Sequence, residues 1–398
     1  MMKKKNLLFV MPSLSAGGGE KSLVNLLSQI NFDLYNVDLF LFSEKGELFT
    51  LLPKEVNVIK PKKNHLIFTT ELKNSLGSFL NNRQFHLAYS RIMFTIKNRL
   101  IKNSNISEQY TWKYMSVSFD ILEKEYDVAI GYLEKSSIYF VVDKVKSKKK
   151  IGWIHTNYSN SGMNYKYDNP YFKQLDKIVT VSQECANALT ENFPDLNNKI
   201  KVIFNIISPK MIRKLSNEEI QDTYLYEKKY INIVTVARLS KEKGIDQAIK
   251  SCKILVNKGH DIKWYVIGEG NERERLEQII NNNNLNNNFK LLGIRENPYP
   301  YIKKADIYVQ PSRYEGKSIA IDEAKILGKP IIVTNYRSAK DQIVNGVNGQ
   351  IVEMSEEGLS LGIEQLIKEE EIKDNLVSNL AKEKLGTEEE INKVYAMF

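Results

Sequence analysis

The residues with the most chemical content fall in two short stretches. Arg238 and Lys243 stand five positions apart in ARLSKEKG, directly after an apolar run, Ile231–Val236, that predicts a strand. Two cations at the carboxyl end of a strand can converge on a diphosphate. The guanidinium grips two oxygens at once and the ammonium acts as a point charge. The second stretch is RYEGKSIAIDEAKILGKPIIV, Arg313–Val333. It predicts a loop carrying Glu315, a helix from Ser318 to Leu327, a turn at Gly328–Pro330 and a buried strand. Ser318 suits the N-cap, where its hydroxyl can accept from an amide of the first turn. The free N–H groups and partial positive charge of a helix start suit a phosphate. Glu315 precedes that start and Glu323 lies one to two turns inside it. Acids beside an anion site make sense if they hold uncharged groups, such as sugar or ribose hydroxyls. Cations for phosphates and acids for hydroxyls together describe a nucleotide-sugar site.

These residues need a scaffold that presents strand ends. The run NLLFVM, Asn6–Met11, predicts a strand buried on both faces, followed by a glycine loop, a helix over Glu20–Ile30 and a second strand at Val37–Phe42. That order opens a doubly wound α/β domain. The loop SAGGGEKS is no P-loop, because Glu20 stands where glycine must precede Lys-Ser/Thr. Gly316-Lys317-Ser318 ends like one, but Pro311 replaces the earlier glycine. Gly17–Gly19 either lets backbone approach a ligand or forms a tight turn without one. Further strands are expected at Asp127–Gly131, Lys150–Ile154, Lys177–Val181 and Lys201–Phe204, with a helix near Gln183–Asn192. His155 and Asn205 each end a strand, where ligands gather in open α/β sheets. Residues 206–230 are polar and predict a linker. A second α/β unit follows, with strands at Ile231–Val236, Trp264–Ile267, Phe289–Leu292, Asp306–Gln310 and Pro330–Val333, an asparagine-rich surface loop at Asn281–Asn288, and a charged helical tail from Glu356 onward.

Residues 61–126 break this rhythm and predict two or three helices. Phe85, Tyr89, Ile92, Met93, Ile96 and Leu100 recur at helical spacing, interspersed with Arg83, Arg91, Lys97, Arg99 and Lys102. Two readings stay open. One is a helical hairpin packed on its own domain. The other is a basic amphipathic surface that docks on an anionic membrane or guides an acceptor.

The chain has 398 residues, which predicts two domains. Its net charge of +9 lies wholly in residues 1–205, with 28 Lys and Arg against 19 Asp and Glu; residues 206–398 carry 29 of each. That surplus serves either solubility or contact with an anionic lipid surface or phosphate-bearing polymer. Cys185 and Cys252 are far apart and offer no disulfide framework or metal spacing, which fits a reducing cytoplasm. No apolar run approaches the roughly 18 residues needed to span a bilayer. The start MMKKKNLLFVM is a first strand rather than a signal peptide, since no small-residue cleavage site follows. No Asp-x-Asp motif occurs, so no metal or other cofactor is expected.

ARLSKEKG, then GEG after the next strand, then PSRYEGKSIAIDEAKILGKPIIVT, resembles the retaining glycosyltransferases of family 4, which have the GT-B fold. Glu315 and Glu323 match that family's E-x7-E motif, and GGGEKSLVNLL resembles its GG-x-E helix start. The resemblance is strongest over 231–352, clear at 1–30 and thin over 61–126. It implies two Rossmann-like doubly wound domains facing across a cleft: 1–205 on the acceptor side, 206–380 for the nucleotide sugar, and a helix over 381–398 returning toward the first. It also implies that Arg238 and Lys243 neutralise the departing diphosphate, that Glu323 holds the ribose, and that Glu315 orients the donor sugar. Ser318 and Ile319 would offer backbone amides, Gly17 and Gly18 would approach from the other domain, Asn205 would line the nucleotide-sugar site, and His155 would touch the sugar near the reacting carbon. Where the family commonly has an aromatic and a glycine after Glu315-Gly316, this chain has Lys317 and Ser318, as in enzymes building bacterial surface polysaccharides. Lys317 would either contact phosphate or be solvated.

The expected function is transfer, with retention, of a hexose or N-acetylhexosamine from a UDP-type donor to a lipid-linked, wall or capsule polymer. The expected location is the cytoplasm, with peripheral contact to the inner face of the cell membrane. The rivals are another GT-B activity such as an epimerase, and a non-catalytic partner subunit that would usually have lost its phosphate-binding residues. Nucleic-acid binding is not expected, because no recognised motif accompanies the basic half.

Overall fold

The computed structural model describes residues 4–15, 17–44, 46–220, 227, 229–295 and 297–398. Part of the expected linker, residues 221–226 and 228, lies outside them, as do the first three residues. The chain divides into two units. One runs to Phe204 and takes in Glu389–Phe398; the other is Asn205–Glu388.

Among the described residues the first unit holds seven strands: β1 (Lys5–Met11), β2 (Tyr35–Leu41), β3 (Asn57–Ile59), β4 (Leu122–Gly131), β5 (Val145–Ile154), β6 (Lys177–Thr180) and β7 (Ile200–Val202). They pair in parallel in the order β3-β2-β1-β4-β5-β6-β7. Parallel strands need crossover helices on both faces, so their residues are buried on both sides. Leu7–Met11 are accordingly inaccessible.

Four helices, Lys63–Phe68, Leu72–Asn81, Phe85–Leu100 and Ser104–Met115, interrupt the alternation between β3 and β4. The expected insertion is therefore one helix richer and shorter at its end, because β4 begins at Leu122 rather than Asp127. The charges of LEKEYD hid that strand, whose exposed first half projects beyond the buried core.

The C-terminal segment does not form the single helix expected over 381–398. Helix Glu370–Lys382 ends within the second unit, and a short helix, Glu390–Tyr395, belongs to the first. Gly386, at φ +115, lies in the intervening turn. Tyr395 stacks on Tyr35 with centroids 5.3 Å apart, and its hydroxyl donates to the Gln29 carbonyl at 3.0 Å.

Among the described residues the second unit holds six strands: β8 (Ile231–Val236), β9 (Ile262–Ile267), β10 (Phe289–Gly293), β11 (Ile307–Gln310), β12 (Ile331–Thr334) and β13 (Gln350–Val352). All pair in parallel, in the order β10-β9-β8-β11-β12-β13. Residues 206–220 are not a linker. They carry a helix, Pro209–Leu215, and Ile207, Ile212 and Ile220 pack into this unit's core with Tyr299, Ile302 and Ile321. Polar composition masked three isoleucines that the core takes up.

Candidate functional site

In the second sheet the strand order reverses between β8 and β11, and the loops leaving those two strands part to either side. A crevice at such a switch point is where open α/β sheets bind ligands. The loop after β8 carries Arg238 and Lys243; the loop after β11 carries Glu315, Lys317 and Ser318.

Gly244 brings the two loops together. It ends the short 3-10 turn Lys241–Lys243 at φ +65, and a Cβ there would lie 1.9 Å from the Pro311 carbonyl oxygen. Only glycine tolerates both the left-handed backbone and that approach. The Arg313 amide then donates to the Glu242 carbonyl at 2.7 Å. The Arg313 guanidinium forks onto both carboxylate oxygens of Asp246, each at 2.9 Å. The Lys243 ammonium thereby reaches Glu315 Oε2 at 2.6 Å, with the carboxylate almost fully buried. The other oxygen of Glu315 accepts from the Ser312 hydroxyl at 2.7 Å and the Gln310 amide at 3.1 Å. The Glu315 carbonyl accepts from Ser338 Oγ at 2.9 Å. Cation and acid, which the spacing assigned to different ligand groups, form one ion pair. Arg238 is exposed and has no ion-pair partner among the described residues.

Helix Ile319–Ile326 begins where expected, with Ser318 at the N-cap position, but the Ser318 hydroxyl makes no capping bond. Its backbone is instead held at both ends by Gln342: the Ser318 amide donates to Gln342 Oε1 at 2.8 Å, and Gln342 Nε2 donates to the Ser318 carbonyl at 2.8 Å. The Ser318 amide is therefore engaged rather than open to a phosphate. Ile319, the first helical residue, buries its side chain, so only its backbone could serve a ligand. Lys317 is not solvated as one reading held: its side chain is 11% exposed, with Nζ 3.8 Å from Asp322 Oδ2. Glu323 is buried and accepts from the Tyr299 hydroxyl at 3.1 Å. The buried Tyr308 phenol is pushed well above its ordinary value, by burial first and then by the charges of Glu323 and Glu315. Both acids of the E-x7-E pair therefore act on one ring. Asn205 is buried, and its carbonyl accepts from the Thr387 hydroxyl.

The remaining expected residues belong to the first unit. Gly17 is the N-cap of helix Gly18–Leu27, and a Cβ on Gly18 would meet nothing within 4 Å. No packing demand therefore requires glycine at Gly18, which leaves open backbone at a helix start. His155 follows β5. Its backbone N–H donates to Glu134 Oε2 at 3.1 Å, and burial raises the Glu134 carboxyl. Lys135, next in chain, holds φ +67 without being glycine and pairs with Glu108 at 2.6 Å. A non-glycine residue in that region is strained and persists only where its surroundings impose it. Four buried polar atoms around the end of β5 have no hydrogen-bond partner: Trp153 Nε1, His155 Nε2, and Asn157 Oδ1 and Nδ2. Buried polar atoms are normally paired, so an orphaned group of this kind fits a polar ligand or bound water. Sequence reading missed Glu134, Trp153 and Asn157. In the second unit it missed Gln342, Tyr299, Arg313 and Asp246, whose partners lie far away in sequence.

Burial pushes the His155 imidazole down to about 3, against the opposing effect of its bond to the Tyr132 carbonyl. Burial likewise pushes His65 down to about 4. The ring of His155 is therefore neutral at ordinary pH and serves as a hydrogen-bond partner, not as an acid. Below about 6.5 the unfolded chain takes up protons that these buried rings refuse. Stability should fall as pH drops from about 6.5 toward 4 and, for His155, toward 3. The thermal midpoint, followed from pH 7 to pH 5, is expected to decline less steeply in His155→Gln than in the parent. An unchanged slope would contradict the neutral, buried state.

Residues 216–383 match the family described as glycosyl transferases group 1. An uncharacterized glycosyltransferase of Methanocaldococcus jannaschii is 30% identical over 45% of this chain and 44% of its own length. The capsular polysaccharide biosynthesis glycosyltransferase CapM of Staphylococcus aureus is 30% identical over 51% of this chain and 55% of its own. The matched stretch thus spans about half the length of these relatives. The crystal structure of HepE from Anabaena in complex with UDP and glucose superposes with a TM-score of 0.71 at 17% identity, covering 98% of each chain. The fold is accordingly GT-B, with two Rossmann-like units.

Proposed function

We propose that this chain is a retaining family 4 glycosyltransferase that takes a hexose or N-acetylhexosamine from a UDP-sugar. The observation that carries the reading is the Lys243–Glu315 pair at the β8/β11 switch point, with Arg238 exposed on the same loop as Lys243. Two cations at strand ends suit the diphosphate, and the buried carboxylates Glu315 and Glu323 suit hydroxyls of the sugar and ribose. Lys243 would share its charge between Glu315 and the arriving phosphates. Arg238, exposed and without a partner acid among the described residues, would fork onto their oxygens.

In the reaction the bond between the anomeric carbon and the leaving phosphate oxygen breaks as the acceptor hydroxyl attacks the same face. The departing phosphate takes the acceptor's proton, so no strong protein base is needed. Negative charge grows on the diphosphate in the transition state, which is where preorganised cations contribute most. The side chains supply that charge in this proposal, without a divalent ion or cofactor. The carboxyl end of the first sheet, with Gly17, Gly18 and neutral His155, is assigned to sugar and acceptor hydroxyls. The likeness to a capsular polysaccharide enzyme supports a surface polymer or its lipid-linked precursor as acceptor; the encounter would take place in the cytoplasm.

A thermal-shift and hydrolysis panel over UDP-, GDP- and ADP-sugars tests the proposal. A UDP-sugar should raise the melting midpoint and be slowly hydrolysed, with the other nucleotides weaker. No shift and no hydrolysis with any donor would overturn it.

A further inference from the structure

The helical insertion of the first unit carries an unusual face. In helix Phe85–Leu100, the side chains at Leu87, Ala88 and Phe94 turn inward and pack with Phe68 and Phe79. The residues that recur at helical spacing lie on the opposite side of the helix. Phe85 is 64% exposed, Tyr89 60% and Leu100 70%, and Ile92 and Ile96 are exposed between them. These five positions follow one another by three or four residues, so they form a continuous apolar stripe along one side of a helix about 24 Å long. The preceding helices add exposed Leu66 and Leu80. Ten of the 17 exposed large hydrophobic residues described in the whole chain fall between Leu66 and Ile121. Isolated exposed apolar residues are ordinary; a concentration on one element marks a surface made for contact.

The charge around the stripe identifies the partner. Residues 60–102 hold nine Lys and Arg and a single acid, Glu71, a net +8 against +9 for the entire chain. Lys97 and Arg99 fall on either side of the stripe by helical position, and Arg83 and Lys102 flank its two ends. Arg83, Arg99, Lys102, Lys62 and Lys63 are exposed. Two copies of this chain meeting face to face would bring like charges together, so self-association is disfavoured. An apolar stripe bordered by cations instead matches the boundary between acyl chains and anionic headgroups. No helix among the described residues is long and apolar enough to cross a membrane, so contact would be by lying on it.

We propose that helix Phe85–Leu100 docks the chain on a bilayer rich in anionic phospholipid. The aromatic and aliphatic stripe enters the headgroup region, and Arg83, Lys97, Arg99 and Lys102 bind the lipid phosphates. None of these residues belongs to the nucleotide cluster of the second unit, so docking and donor binding can fail separately.

Flotation of the full chain with vesicles of phosphatidylglycerol and phosphatidylcholine tests it. The protein should float with vesicles containing anionic lipid at low salt, and should not float with phosphatidylcholine alone or at high salt. Each juxtamembrane cation contributes about a fivefold factor. Arg99→Glu with Lys102→Glu should therefore lower partitioning at least tenfold. Tyr89→Glu with Ile96→Glu should do the same by spoiling the stripe. In all variants the melting midpoint and the thermal shift with UDP should stay at parental values, since every altered side chain is exposed. Three results would overturn the proposal: no flotation with anionic vesicles, equal flotation of parent and variants, or a parental dimer that the variants convert to monomer without any effect on vesicle binding.

Discussion

Arg238→Ala should lower turnover by about two to three orders of magnitude, the range seen when one preorganised stabiliser of transition-state charge is removed. Arg238 is exposed and makes no ion pair among the described residues, so its loss leaves no buried charge behind. Its removal should therefore spare the melting midpoint while withdrawing the fork that meets the leaving diphosphate. Lys243→Ala should cost as much turnover, but with a second effect. It strips the almost buried Glu315 carboxylate of its cation at 2.6 Å, leaving the neutral donors Ser312 and Gln310 on the other oxygen. An uncompensated carboxylate is destabilising, so this variant should also melt earlier. Release of UDP at saturating donor, measured beside the melting curve, separates the two. Near-parental turnover in Arg238→Ala would remove it from the leaving group's surroundings.

The second large effect is expected at Glu323. Its carboxylate is buried and accepts from the Tyr299 hydroxyl at 3.1 Å. Hydrogen bonds to a charged acceptor contribute about 1.5–3 kcal/mol, so Glu323→Gln should weaken UDP binding by about 10- to 100-fold. The glutamine has the same shape, which keeps the packing around the helix. Tyr299→Phe is the control. It removes the donor but keeps the charge, and should shift affinity far less. Equal affinities for UDP in parent and Glu323→Gln would take that acid off the ribose.

The motifs gave most of the second unit in advance because their residues act locally. The run INIVTV is buried on both faces, Gly244 carries the backbone that ARLSKEKG needs, and Glu315 to Glu323 spans a loop and the first turns of a helix. Legibility failed where the partner is distant. Nothing near Ser318 announces that Gln342 holds both its amide and its carbonyl. Nothing near Lys243 announces its pairing with Glu315, 72 residues away. In the insertion, periodicity picked out the correct stripe but could not say which way it faced. A helix with apolar residues on two sides yields the same count whichever side is inward, and only the packing of Leu87 and Phe94 decides. The strained Lys135 and the orphaned amide of Asn157 leave no trace in composition at all.

The reading rests on twin cations that recognise twin phosphates. Calorimetric titration of the parent and of an Arg238→Ala, Lys243→Ala chain with UDP and with uridine measures that directly. The parent should bind UDP far more tightly than uridine, and the double variant should bind the two almost alike, with its affinity for uridine preserved. A double variant that kept the parent's full preference for UDP would contradict the account.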